Sequence, residues 1–215
     1  ANDPLPGSGL AYVELYYRHN GGAWTQYGGA YTASPIAFTA GADGLYEFYV
    51  EATDNRGNVE VKGTAEVSTI VDTVAPASAV DGLPPYTANL TFTVSWAGTD
   101  ATAGVASYDV YSSTDGVTYH LWLADTTATS AVFTGVNGQT YRFYSRATDH
   151  AGNAEAAPLT ADATTLVDVA APVSAASSPA YSTAAAFAVT WTGSDAESSV
   201  ASYDVYVAVD GGGYT

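Results

Sequence analysis

At 215 residues, with 47% hydrophobic and 13% charged residues and with 17 Tyr, 6 Phe and 4 Trp, the chain can fill a core and is excluded from the disordered class. Its 22 acidic and 5 basic residues leave a formal net charge of -17, which excludes nucleic acid and anionic membrane as partners, because both are bound through Lys and Arg. The lack of Cys excludes disulfides and thiol chemistry, no apolar run reaches the roughly 18 residues of a membrane span, and a chain without Met is expected to have any export signal or anchor outside it.

In chain order, "GLAYVELYYRHNGGAW" from Gly9 comes first, then "GLYEFYVEATD" (Gly44 to Asp54), the turn "DNRGNVE" (Asp54 to Glu60) and "VDTVAPAS" (Val71 to Ser78). "TFTVSWAGTD" (Thr91 to Asp100) follows, and then the earlier patterns return. "GVASYDVYSSTDGVTY" begins at Gly104, "QTYRFYSRATD" runs from Gln139 to Asp149, and "DHAGNAE" runs from Asp149 to Glu155. "VDVAAPVS" (Val167 to Ser174), "AFAVTWTGSD" (Ala186 to Asp195) and "SVASYDVYVAVDGGGY" from Ser199 complete the chain. Apart from the two "AP" stretches, the paired patterns are 95 residues apart, too long for a solenoid repeat and about the length of one sandwich domain.

Within the repeat, apolar and polar residues alternate with period two. Phe92, Val94 and Trp96 share one face; Tyr108 and Val110 oppose Asp109 and Tyr111; Tyr141, Phe143 and Ser145 oppose Arg142, Tyr144 and Arg146. Such alternation predicts strands with one buried face, and the turn signals at Thr114, Val136 and His150 make them short and antiparallel. The D-G pairs at Asp115 and Asp210 read as hairpin turns. Two packed antiparallel sheets per unit are the expected result.

The order of Trp96, the Tyr-rich segment Tyr108 to Tyr111, "GVNGQTYRFYSRATDHAGN" and a following "AP" resembles bacterial fibronectin type III and related immunoglobulin-like repeats of surface and secreted proteins. The resemblance implies an all-β chain of tandem antiparallel β-sandwiches. It also implies that Trp96 is the core tryptophan between the sheets and Tyr141 the buried tyrosine leading into the second-last core strand.

Proline after a short extended stretch ends one sheet and restrains entry to the next, so the boundaries are placed near Asp72 and Asp168. The expected modules are a partial one over 1–72 lacking its first strands, a complete one over 73–168, and a partial one over 169–215 lacking its last strands. Ala1 corresponds to Trp96 and Thr215 to His120. Partial sandwiches expose apolar faces and strand edges. Either the chain belongs to a longer repetitive array, or neighbouring copies of the repeat complete one another head to tail; both imply a rod or filament.

No G-x-S-x-G, H-E-x-x-H or Walker pattern is present, so no catalytic residue and no enzyme activity is expected. His19, His120 and His150 fall at different repeat positions and read as surface or edge residues. Calcium is the one specific chemical expectation, since hard cations take several oxygen ligands from loops. The turn residues Asp54, Asn58 and Glu60 and their equivalents Asp149, Asn153 and Glu155 carry such oxygens. Asp72 and Asp168 do so at the junctions, and Asp100 and Asp195 do so after the Trp strands. Resemblance to immunoglobulin-like repeats with a similar turn and "AP" junction implies an ion that stiffens joints between modules. The competing reading needs no metal: Asp caps the turn, Gly takes positive φ, and strand alternation carries Asn58 and Glu60 away from Asp54.

Asn89-Leu90-Thr91 is a glycosylation triplet, and exposed Tyr17, Tyr49, Tyr111 and Tyr144 form a candidate carbohydrate or partner surface. Together these features predict an extracellular or cell-surface, non-enzymatic structural or adhesive protein. The alternatives are a spacer module of a secreted multidomain hydrolase and a carbohydrate-binding module.

Overall fold

The computed structural model describes residues 7–214, so the expected outer module limits at Ala1 and Thr215 lie outside the described residues. Strands and turns make up the regular structure, with no helix among the described residues. β1 (Leu10–His19), β2 (Thr25–Tyr31), β3 (Gly44–Asp54) and β4 (Val67–Val71) form one antiparallel sheet in the order β2-β1-β3-β4. β1 lies against β3 with Leu15 opposite Val50 and Tyr16 opposite Tyr49, so alternate residues of the two strands share a face.

The chain continues through β5 (Ala77–Val80), β6 (Tyr86–Thr87), β7 (Thr91–Thr99), β8 (Val105–Ser113), β9 (His120–Thr126), β10 (Ser130–Thr134), β11 (Thr140–Asp149) and β12 (Ala163–Val167). One sheet has the order β10-β7-β5 and the other the order β6-β12-β11-β8-β9, with β6 parallel to β12. Strands adjacent in sequence thus divide between two sheets, which is how a sandwich buries one face of each. β13 (Val173–Ser177) and β14 (Thr190–Ser194) form a separate antiparallel pair.

The expected inward face is the observed core. Val94, Trp96, Val110 and Phe143 are at most 1% exposed. Trp96 meets Trp122 edge-on at 6.3 Å, while Phe92 and Phe133 of one sheet pack on Phe143 of the other at 6.2 and 4.9 Å. Truncating a side chain of this size in such a core costs about 3–5 kcal/mol. At the entry to β11 the Tyr141 hydroxyl accepts the Val136 N–H at 3.1 Å, tying the strand to the turn before it. Tyr46 repeats the device in β3: its hydroxyl donates to the Ala42 carbonyl at 3.0 Å and accepts the Ala42 N–H at 3.2 Å. A tyrosine bonded back to the backbone upstream is a hallmark of immunoglobulin-type sandwiches.

Both expected boundaries follow a strand directly, since β4 ends at Val71 and β12 at Val167. The chain nevertheless gathers into two compact units that cut across the repeat. One takes the chain as far as Ser78 together with Gly98–Ser107 and Arg146–Ala156; the other takes Ala79–Ala97, Tyr108–Ser145 and the chain from Ala157. The loops after β7 and β11 therefore cluster with the first sheet and with the segment leaving β4.

Candidate functional site

Each D-x-x-G-N turn closes on itself. Asp54 Oδ1 accepts the N–H groups of Arg56 and Asn58 at 2.8 and 2.9 Å, and Oδ2 accepts the Asn58 side-chain amide at 2.6 Å. Asp149 repeats this with Ala151 and Asn153 at 2.8, 2.8 and 2.7 Å. Gly57 and Gly152 supply φ of 86° and 93°, which side chains with a Cβ adopt only under strain. The expected alternation does not hold here. Asn58 turns toward Asp54 because the chain leaves β3 as a turn, with only a bridge from Thr53 to Val59 beyond it.

The two turns differ in what surrounds them. Asp72, Asp100 and Asp149 bring carboxylate oxygens within 4.8 Å of one another, with Asp72 and Asp149 buried. Asp72 Oδ2 accepts the Ala103 N–H at 2.8 Å, and Asp100 Oδ1 accepts those of Thr102 and Gly104 at 3.0 and 2.6 Å. Asn153, already on Asp149, donates to the Asp72 carbonyl at 3.0 Å. Burial works to raise the Asp149 pKa, but the Asn153 side chain and the turn N–H groups outweigh it, so the group is held below the ordinary aspartate range.

A second cluster recurs one repeat later, where Asp168, Asp195 and Glu197 again place carboxylate oxygens within 4.8 Å of one another. The N–H groups of Ser198 and then Glu197 hold the Asp195 pKa low. Asn137 links the parts by accepting the Val169 N–H at 2.7 Å and donating to Glu197 Oε1 at 3.3 Å. The other Glu197 oxygen is buried with no hydrogen-bond partner.

Charge compensation for either cluster is not drawn from the basic side chains whose partners are described. Arg18 pairs with Glu47, Lys62 with Glu60 and Glu66, Arg142 with the Thr114 carbonyl and Arg146 with the Glu155 carbonyl. Ionised carboxylates this close repel one another, and a cation or a shared proton offsets the repulsion.

The remaining candidates lie elsewhere. Asp54 and Asn58 complete their own turn, and Glu60 is exposed beside Lys62 at 3.1 Å. Glu155 joins strands instead: its carboxylate accepts the Ser78 N–H and hydroxyl at 2.9 and 2.6 Å and the Ala147 N–H at 3.0 Å. Asp162 does the same for Val80 and Ser145 at 2.9 and 3.1 Å, a role that no local pattern announces. Glu197 escaped the sequence reading because its repeat equivalent is Thr102, although it lies two residues after Asp195 in the same loop.

The tyrosine surface needs correction. Tyr49 and Tyr144 are buried, because Tyr16 stacks on Tyr49 at 5.0 Å with Trp24 against it at 4.5 Å, and Tyr111 and Tyr119 cover Tyr144 at 4.7 and 4.6 Å. Tyr17 is half-buried among Tyr27, Phe38 and Tyr46. Asn89 is exposed in the turn before β7.

No family model matches the chain. It is 33% identical over 173 residues to Exoglucanase B of Cellulomonas fimi, a match that covers 77% of this chain and 15% of that enzyme. β5 to β12 form an all-β sandwich of two sheets, the fold class that the sequence predicts. Its three-stranded and five-stranded sheets, the core Trp96 and the Tyr141 corner agree with the fold that the sequence resemblance implies. Among solved structures, the chain aligns with the fibronectin(III)-like modules of Clostridium thermocellum CbhA at 12% identity and a TM-score of 0.33, over 72% of this chain and 77% of that one.

Proposed function

We propose that this chain is a non-catalytic spacer segment of a secreted, multidomain glucan-degrading enzyme. The match to Exoglucanase B supports this reading: the chain spans about 15% of that enzyme, so the likeness falls on an accessory stretch of a longer protein named for its action on glucan. The β-sandwich supports a mechanical role, and the same relative, named for action on a polymer, supports an extracellular location. These observations favour the spacer over the adhesive rod. The encoded sequence on either side of the segment tests the choice: a glycoside hydrolase domain in the same reading frame is the expected finding. A long run of further 95-residue repeats without one would favour the rod. The purified chain is expected to release no sugar from soluble or insoluble glucan.

A second reading concerns the acidic clusters. A calcium ion takes 6–8 oxygens at about 2.3–2.6 Å, and carboxylates held by their own loops are suited to supply them. The supporting observation is that the same kind of cluster forms twice, from Asp72, Asp100 and Asp149 and from Asp168, Asp195 and Glu197, each time where a chain leaving one sheet meets the loop after a Trp strand. The residues fit calcium, and the ion would tie that segment to the loop. The thermal midpoint is expected to rise with calcium over chelator, because binding to the folded state alone stabilises it. Asp100→Asn is expected to reduce the rise and Asp54→Asn to leave it intact; equal midpoints with and without calcium in the unaltered chain would remove the ion from the account.

A further inference from the structure

The first repeat turns from β1 into β2 on Asn20-Gly21, and the later repeats hold Asp115-Gly116 and Asp210-Gly211 at the same position. Asn20 and Gly21 have φ of 48° and 70°, and Asp210 and Gly211 have 49° and 73°. The Gly22 N–H donates to the His19 carbonyl at 3.0 Å, and the Gly212 N–H donates to the Val209 carbonyl at 2.9 Å. These two turns therefore share one left-handed geometry, which accepts a carboxylate where the first repeat has an amide.

Asparagine is a chemically labile side chain, and a following glycine leaves its own nitrogen unhindered in reaching the asparagine Cγ. The chain has two such pairs, Asn20-Gly21 and Asn137-Gly138, and both are exposed. At Asn137 each reacting group is occupied. Its Oδ1 accepts the Val169 N–H at 2.7 Å, its Nδ2 donates to Glu197 Oε1 at 3.3 Å, and the Gly138 N–H donates to the Val167 carbonyl at 2.8 Å. The same Glu197 oxygen would lie 3.4 Å from a Cβ on Gly138, and a carboxylate there opposes loss of a proton from the Gly138 nitrogen. Asn20 is the reverse case. Among the described residues, neither the Gly21 N–H nor Asn20 Nδ2 has a hydrogen-bond partner, and a Cβ on Gly21 would meet nothing within 4 Å. Only Oδ1 is held, accepting the Leu45 N–H at 2.9 Å. That donor is aimed at the oxygen on which charge develops when Cγ is attacked.

We propose that Asn20 is a site of spontaneous deamidation, with water as the co-reactant. The Gly21 nitrogen gives its proton to hydroxide and bonds to Asn20 Cγ. The Cγ–Nδ2 bond breaks, and that nitrogen leaves as ammonia with a proton drawn from water. One water then opens the succinimide ring: attack at Cγ leaves aspartate, and attack at the main-chain carbonyl leaves isoaspartate. No atom is oxidised or reduced. Aspartate keeps the turn, as Asp210 does in the same geometry. Isoaspartate adds a methylene to the main chain, which breaks the paired hydrogen bonds that Asn20 makes to the Leu45 N–H and carbonyl. The inference stands apart from the spacer reading, because it concerns the chemistry of one turn and not what the enclosing protein does.

Peptide mapping by mass spectrometry, on the full chain incubated in mildly alkaline buffer, is the test. The peptide that holds Asn20 is expected to gain the mass difference between an amide and an acid, with an isoaspartyl isomer that an isoaspartyl methyltransferase labels. It is expected to do so at least about tenfold faster than the peptide that holds Asn137, the ratio that one hydrogen bond on the attacking nitrogen sets. In denaturant the two rates are expected to converge, because both pairs are Asn-Gly and the fold no longer separates them. Asn20→Asp is expected to abolish the mass change and to keep the fold, read by near-ultraviolet circular dichroism. Equal rates in the folded chain, faster reaction at Asn137, or an Asn20 that stays intact under conditions in which the denatured chain reacts would each overturn the proposal.

Discussion

Phe48 in β3 and Phe143 in β11 hold the same repeat position, follow the same kind of tyrosine corner and meet the same kind of aromatic neighbours. Phe143 is fully buried and Phe48 is half-buried. Val110 and Leu15 differ in the same direction, at 0% and 8% exposure. The first sheet thus carries the same inward aromatic pattern as the larger sheet of the sandwich. The lesson is that strand pairing within one sheet, with its tyrosine corner, sets the arrangement of the aromatic side chains on its inward face. The second sheet contributes burial, and burial is where most of the free energy of a core lies.

The largest contrast is expected at the two tryptophans. Trp96→Ala should cost about 3–5 kcal/mol in denaturant unfolding, because it opens a cavity in a closed core. Trp191→Ala in dilute solution should cost less than about 0.5 kcal/mol, because the side chain is already wet. Equal losses would mean that the hairpin has a core of its own. Next comes the carboxylate that ties the sheets of the complete sandwich. Asp162→Ala removes the acceptor shared by Val80 and Ser145 and is expected to destabilise by about 2 kcal/mol, read from the shift in denaturant midpoint. A neutral result would show that water replaces it.

The corners come third. Tyr141→Phe and Tyr46→Phe should each cost about 1 kcal/mol. A loss confined to Tyr141→Phe would show that the first sheet does not depend on its corner. The smallest effect separates the two turns by pH. The Asn58 side chain and N–H, aided by that of Arg56, hold the Asp54 carboxylate well below its ordinary value of 3.8. A depressed carboxylate contributes stability that is present above the unfolded-state value and lost as pH falls through the folded one. Asp54→Asn is therefore expected to lower the melting temperature at neutral pH and to flatten the acid side of the profile, the two chains converging as pH falls below about 5. An unchanged acid side would assign the loss to other carboxylates.

Much of the site was legible for a local reason. Asp72 and Asp168 follow a strand end, Asp100 and Asp195 follow a Trp strand, and repetition marks all of them as loop positions. The turn residues were harder to sort. Asp54 and Asp149 have the same sequence neighbours and the same hydrogen bonds, yet only Asp149 has carboxylates of other loops beside it among the described residues. Glu155 follows Asn153 by two residues and reads as a ligand, but the strand beginning at Ala77 lies within reach and takes its carboxylate. Tyr49 and Tyr144 alternate outward as expected and are nonetheless covered, because cross-strand aromatic neighbours bury them from the solvent side.

Alternation and turn chemistry, which act over a few neighbouring residues, marked the strands of the first two repeats and their inward faces, and the family resemblance implied the roles of Trp96 and Tyr141; residues 201–208, which align with β8, form no strand. Tertiary structure decided which carboxylates converge and which bind strand N–H groups instead. Those outcomes depend on segments tens of residues apart meeting in space. A carboxylate of given local sequence becomes a cap, a staple or one corner of a charged cluster according to what the rest of the fold places within a few ångströms of it.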